Sequence, residues 1–223
     1  MQPPAHAGEF AQLMSALRHL APLQKCEIFF GQDGARDDVA LSGAALAPLH
    51  TLANMRIFQL LHAPIAFEPE AVRALARAWT RLESLQLHAP MQHPGHLRLK
   101  DLTAFAEHCP SLRLLILQVS PVAGDWRCDP GVRTSTSSLV HLNLNKSIID
   151  PLAAARVAEY LAVIFPAASV RHEFWEEQSE AAAVIDRIDE LKDMLVPQGM
   201  ADVAEWDSSE DAESESSEDE ESE

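Results

Sequence analysis

The sequence predicts an α/β solenoid, a short horseshoe of about five to six helix–strand repeats closed by a C-terminal capping helix. Three observations predict it. The first is a spacing that returns five times: an apolar or small anchor, then positions three, six and eight residues later. The sets are Leu20, Leu23, Cys26, Ile28; Leu52, Met55, Phe58, Leu60; Trp79, Leu82, Leu85, Leu87; Cys109, Leu112, Leu115, Leu117; and Thr136, Leu139, Leu142, Leu144. The core of each set is L-x-x-L-x-L, the strand signature of a leucine-rich repeat. The second observation is the step between sets, 32, 27, 30 and 27 residues, which is one helix, one strand and their turns. The third is a helical pattern between strands that recurrently stops at a proline: Pro22, Pro110 and Pro166.

Taken in order, Glu9–Leu20 places Leu13, Leu17 and Leu20 at helical spacing, and a strand follows over 26–29. Pro48 interrupts the helix expected before the second strand, 56–61. Glu70–Trp79 carries Val72, Leu75 and Trp79 on one face and leads into a strand over 83–88. Asp101 is the expected N-cap of a helix to Cys109, with Leu102, Phe105 and Cys109 inward, before a strand over 113–118. Pro121–Ser138 is rich in Pro, Gly, Ser and Thr and replaces a helix with an irregular loop before the strand over 140–145. Asp150 caps and Pro151 opens a helix to about Phe165, and a last strand lies near Ser169–Phe174. The two final members of each set alternate with exposed residues, so they point to one side of their strand, and stacking buries them as a continuous core.

The domain plan is then a disordered N-terminus over 1–8, repeats over 9–175, a capping helix over 176–197 and a disordered acidic tail over 198–223. In Glu177–Val196, Val184, Ile188, Leu191 and Leu195 form a stripe, with Ile185 and Met194 beside it. A solenoid needs such a cover where its last repeat would expose core. Charge divides the chain. The net charge is −17, but Glu205–Glu223 holds eleven acids, six serines and no base, which leaves 17 bases against 23 acids elsewhere. With Trp206 as its one large apolar residue, the tail has too little to bury to fold by itself. It reads either as a polyanion for basic partner proteins or as a solubilising tail with no dedicated partner. Ser208, Ser216 and Ser217 each have an acid three residues on, the context of an acidophilic kinase.

Three cysteines form no disulfide framework: Cys26 and Cys109 take small apolar repeat positions and Cys128 lies in the irregular loop. No apolar run approaches the roughly 20 residues of a membrane span, and Met1–Gly8 has no leader-like pattern. A cytoplasmic or nuclear protein is expected. His88, His93 and His96 lie close together, but Pro94 and Gly95 favour a turn over a zinc-binding helix. His62 and His88, each before Ala-Pro, read as equivalent positions of successive repeats. No phosphate loop, nucleophile elbow or basic groove is present, so no catalytic, metal or cofactor site is expected, and neither is nucleic acid.

This leaves a non-enzymatic protein–protein interaction scaffold, with its binding surface on the concave face of the strands. That face carries the residues between the buried leucines. Its expected centre line is Glu27, Gln59, Gln86, Ile116 and Asn143, flanked by Leu61, His88, Leu114, Gln118, His141 and Asn145. A polar, mostly neutral surface with apolar neighbours suits a protein or peptide.

The stretch His96–Leu117, HLRLKDLTAFAEHCPSLRLLIL, has the helix-Cys-Pro-x-Leu-x-x-Leu-x-Leu form of cysteine-containing leucine-rich repeats. The stretch SLVHLNLNKSIIDPLAAARVAEYLAVIFP resembles the last repeat and closing helix of fungal F-box proteins with leucine-rich repeats. The resemblance covers roughly residues 50–195. It implies a substrate receptor of a cullin-type ubiquitin ligase, with the repeats holding the substrate. The F-box itself is not visible in Met1–Leu20, so binding to the ligase adaptor requires an F-box supplied elsewhere. A horseshoe with an acidic tail is also the layout of the acidic leucine-rich nuclear phosphoproteins, which chaperone histones. It is shared as well by the GTPase-activating proteins of the nuclear transport GTPase, though no arginine or asparagine placement here marks that family.

Overall fold

The computed structural model describes residues 7–30, 41–62, 65–88, 97–125, 137–145, 147–172 and 180–196. In chain order its elements are α1 (Ala7–Leu17), β1 (Lys25–Phe29), β2 (Leu41–Ser42), a 3-10 helix (Gly43–Thr51), β3 (Ile57–Leu61), β4 (Ile65–Ala66), α2 (Pro69–Ala78) and β5 (Ser84–His88). There follow a 3-10 turn (Leu99–Leu102), α3 (Thr103–His108), β6 (Leu114–Leu117), β7 (His141–Asn143), a 3-10 turn (Pro151–Ala153), α4 (Ala154–Ile164), β8 (Ser169–Arg171) and α5 (Glu180–Leu195). Six strands form one sheet in the order β1-β3-β5-β6-β7-β8, and β2 with β4 forms a two-stranded parallel pair. All pairings of the large sheet are parallel. The five predicted strands are therefore present and adjacent in the predicted order.

The local cause of the spacing is a recurring turn. The anchor carbonyl accepts the N–H three residues on: Leu20 from Leu23 at 2.8 Å, Leu52 from Met55 at 3.1 Å, Trp79 from Leu82 at 2.9 Å, and Cys109 from Leu112 at 3.1 Å. The chain then enters its strand. At each entry, one carbonyl accepts two N–H groups of the next strand's start: Gln24 from Arg56 and Ile57, Arg56 from Glu83 and Ser84, Glu83 from Arg113 and Leu114, and Arg113 from Val140 and His141. This fixes each repeat's register on the last.

Every described member of the second to fifth sets is buried, from 0 to 7% exposed. They meet Phe10, Met14, Leu75, Phe105, Val157 and Leu161 of the helices in one continuous core. Trp79 anchors its middle, packed against Phe58 in a tilted ring pair at 4.9 Å with its indole N–H donated to the Leu49 carbonyl at 3.1 Å. The first set differs: Leu20 is 48% exposed, because no earlier described repeat stands over it. Thr136 and Cys128 lie outside the described residues, as do His93, His96 and Glu205–Glu223 with Ser208, Ser216 and Ser217.

Several expectations need correction. Ala7 and Gly8 are helical rather than part of a disordered N-terminus. The segment around Pro48 is a 3-10 helix with the proline inside it, where an α-helix would set the ring against the carbonyl four residues back. Asp101 does not stand ahead of its helix as N-cap. It is buried in the preceding 3-10 turn and reaches back, accepting the Arg98 backbone N–H at 3.0 Å and the Arg98 guanidinium at 3.1 and 3.2 Å. That pairing holds the Arg98 guanidinium above its ordinary pKa. Asp150 does cap as expected, accepting the Leu152 N–H at 2.9 Å.

α5 packs on α4 and β8. Val184, Ile185 and Ile188 are buried and Leu191 packs at the margin, whereas Met194 and Leu195 are 78% and 49% exposed. The apolar stripe runs one turn past the surface it covers. Its buried place in that last turn goes to Lys192, whose ammonium donates to the Pro166 carbonyl at 3.0 Å. None of the described helices is long and apolar enough to cross a membrane.

Candidate functional site

The candidate site is the sheet face opposite the leucines. Parallel pairing in register sets its rows, since residues paired across strands share a face. The central row runs Glu27, Gln59, Gln86, Ile116, Asn143 and on to Arg171 of β8. A second row is Lys25, Ile57, Ser84, Leu114, His141, Ser169, and a third begins Phe29, Leu61, His88. The expected centre line is thus one physical row. Arg171 belongs to it and was missed because the sixth repeat is a residue shorter between anchor and strand. The Phe165 carbonyl accepts from Ala168 at 3.2 Å, and Val170 takes the register place opposite Leu142.

Exposure varies along the rows, and the central one is open at Glu27 and Arg171 and closed at Ile116 and Asn143. On β1, Lys25, Glu27 and Phe29 are exposed, with Lys25 and Glu27 ion-paired at 3.0 Å. Gln59, Leu61, Gln86, His88, Leu114 and Gln118 are half-buried, and His141 is exposed with its Nδ1 3.2 Å from the Ser169 hydroxyl. Ile116, Asn143 and Asn145 are buried, at 5%, 3% and 2%, and do not form an open surface. For the asparagines the reason is local: the Asn143 carboxamide oxygen accepts the Asn145 N–H at 2.8 Å, closing a turn. Asn145 then sits at φ 24°, with its amide donating to His88 Nδ1 at 3.3 Å. That bond leaves the neutral imidazole's proton on Nε2. Ile116 lies between Gln86 and Asn143 and is an apolar neighbour that the row encloses.

His62 and His88 are not equivalent. Leu61 is the register partner of His88, while His62 follows the strand at φ 61° and is exposed. The step of 27 residues between their repeats aligns His62 with Ala89, so the shared Ala-Pro context misled. Cys26 and Cys109 are buried, as their repeat places predict. Burial, aided by Glu27, pushes the Cys26 thiol up to about 11, and burial alone pushes Cys109 up to about 12. Both are inert thiols at neutral pH. Among the described residues no three His, Cys, Asp or Glu side chains converge as a metal-binding group.

What the face offers is therefore hydrogen bonding and apolar contact: two carboxamides side by side, Gln59 and Gln86, flanked by Leu61, Leu114 and the exposed Phe29 ring. No family model matches this chain, and no curated protein matches it either.

Proposed function

We propose that the chain is a leucine-rich-repeat solenoid and a non-enzymatic interaction scaffold, an F-box-protein-like substrate-recognition module of a cullin-type ubiquitin ligase. Its partner is a protein or peptide held on the concave face of the sheet, in the cytoplasm or nucleus. The observation that supports this is the central row, where Gln59 and Gln86 stand in register beside half-buried Leu61 and Leu114. Partly exposed amides beside apolar groups suit a polypeptide, which presents both backbone polar groups and side chains. A row lacking Lys and Arg at its centre does not suit a phosphate backbone.

A second reading has its own observation. The eleven acids and no base of Glu205–Glu223 favour a chaperone of histones or other basic proteins. Binding of the full chain to purified adaptor–cullin complex and to core histones separates the two. The receptor reading expects a protein or peptide held on the sheet face that survives high salt and is lost on Gln86→Arg, and capture of the adaptor–cullin complex once an F-box is joined to the chain. Histone binding that salt abolishes and Gln86→Arg leaves unchanged overturns it in favour of the chaperone.

A further inference from the structure

At the edge of the sheet where the strands begin lies a cleft of about 320 Å³ lined by Gln24, Asn54, Arg56, Arg81, Glu83 and Ser111. These residues come from the entries of β1, β3, β5 and β6, outside the face described above. Its chemistry is one-sided. Arg56 lays Nε on Glu83 Oε1 at 2.8 Å and also donates Nη2 to that oxygen, which spends the cleft's one carboxylate. Arg81 gives Nη1 to Asn54 Oδ1 at 3.3 Å. Arg81 Nε and Nη2, Arg56 Nη1 and the Gln24 and Ser111 side chains make no hydrogen bond among the described residues. Two guanidiniums with unspent donors, joined by an amide and a hydroxyl, form a receptor for carboxylates.

α5 points the chain toward this edge. It runs antiparallel to β8: Asp186 meets His172 beyond the strand's end at 3.1 Å, Asp189 accepts the Val170 N–H at 2.6 Å, and Lys192 reaches Pro166 before the strand's start at 3.0 Å. Its C-terminus therefore leaves at the same edge as the cleft. From β8 to β5 there are three strand spacings, about 14 Å at ~4.8 Å each. The nine residues from Val196 to Glu205 span up to about 30 Å. Glu205–Glu223, with eleven acids, is then tethered within reach at a high effective concentration.

We propose that this cleft is a carboxylate-binding site and that its occupant is the chain's own acidic segment, Glu205–Glu223. The contact is electrostatic and reversible, and it competes with any basic partner for the tail. It does not rest on the reading of the sheet face.

Zero-length carbodiimide coupling on full-length Arg81→Lys tests this. Arg81 is exposed, and lysine keeps its charge, so the substitution spares the core. The expected result is coupling of position 81 to acids of 205–223, several-fold above that of exposed Lys100 on the helical side, and lost near 1 M salt, where screening acts within about 3 Å. Coupling of position 81 to the tail no greater than that of Lys100 overturns the site. In an equal mixture of ¹⁵N-labelled and unlabelled chains, the links stay within one label. Links between labels place the tail of a second copy in the cleft and overturn the intramolecular occupant.

Discussion

The two ends of the sheet have different fates. At β8, α5 lies along the last strand, and its polar side chains meet the backbone of that strand and of the turn before it: Asp189 accepts the Val170 N–H and Lys192 donates to the Pro166 carbonyl. At β1, no described element plays this part. The bonds from Ile57 N–H to the Gln24 carbonyl and from Phe30 N–H to the Leu61 carbonyl set the alternation of that strand. They leave the N–H and C=O of Lys25, Glu27 and Phe29 directed away from β3. Here the edge carries a Lys–Glu pair and an exposed phenylalanine. The difference teaches that the two edges of one parallel sheet can be finished in different ways: by a helix that satisfies the edge, or by charges that make further strand pairing unfavourable.

Breaking the closed end has the largest expected effect. Ile185→Ala removes a fully buried side chain of α5 and should cost about 2–5 kcal/mol in urea unfolding. Phe29→Ala at the open end should stay within about 0.5 kcal/mol. Equal losses would erase the contrast between the ends. Next comes Lys192→Met, which keeps the buried stem but strips the Pro166 carbonyl of its donor; a loss of about 1–3 kcal/mol is expected in the same assay.

A third test uses pH. Burial is the main cause that raises the Asp189 pKa above its ordinary 3.8, against the Val170 hydrogen bond, which lowers it. A raised carboxyl favours folding in its protonated form, so its contribution is full below 3.8 and is lost as pH rises through the folded value. Asp189→Asn keeps an acceptor for Val170 and has no such loss. Its stability relative to the parent should therefore rise from pH 4 toward neutrality; a flat difference would show that burial of the charge costs nothing. The smallest effect is local. By amide hydrogen exchange, Lys25, Glu27 and Phe29 should exchange near the rate of exposed backbone, while Val170 stays protected until the α5 end opens. Protection at all three edge amides would mean that β1 is also covered.

Strand positions and order were legible because the signal is local and repeated. A turn from the anchor carbonyl to the third N–H, followed by alternation, leaves the same trace at Leu52, Trp79 and Cys109. The in-register row of Glu27, Gln59, Gln86, Ile116 and Asn143 follows from the same arithmetic. The sixth strand's register was not legible: one residue fewer between Phe165 and Val170 breaks the spacing, and Arg171 was lost with it. The exposure of the row was not legible either. Alternation states which side of a strand a residue takes, but burial depends on what stands over that side. Ile116 and Asn143 are therefore enclosed while Glu27, at the equivalent place, is open.

The sequence alone determined the repeat, its parallel stacking and the buried leucines, because each rests on contacts within one helix–strand unit or between consecutive units. Tertiary structure decided how the sheet ends, which asparagines turn inward, where Lys192 is buried and that Arg56 and Arg81 line one cleft. Those outcomes depend on side chains far apart in the chain competing for one space or one carbonyl, and no local pattern records which of them prevails.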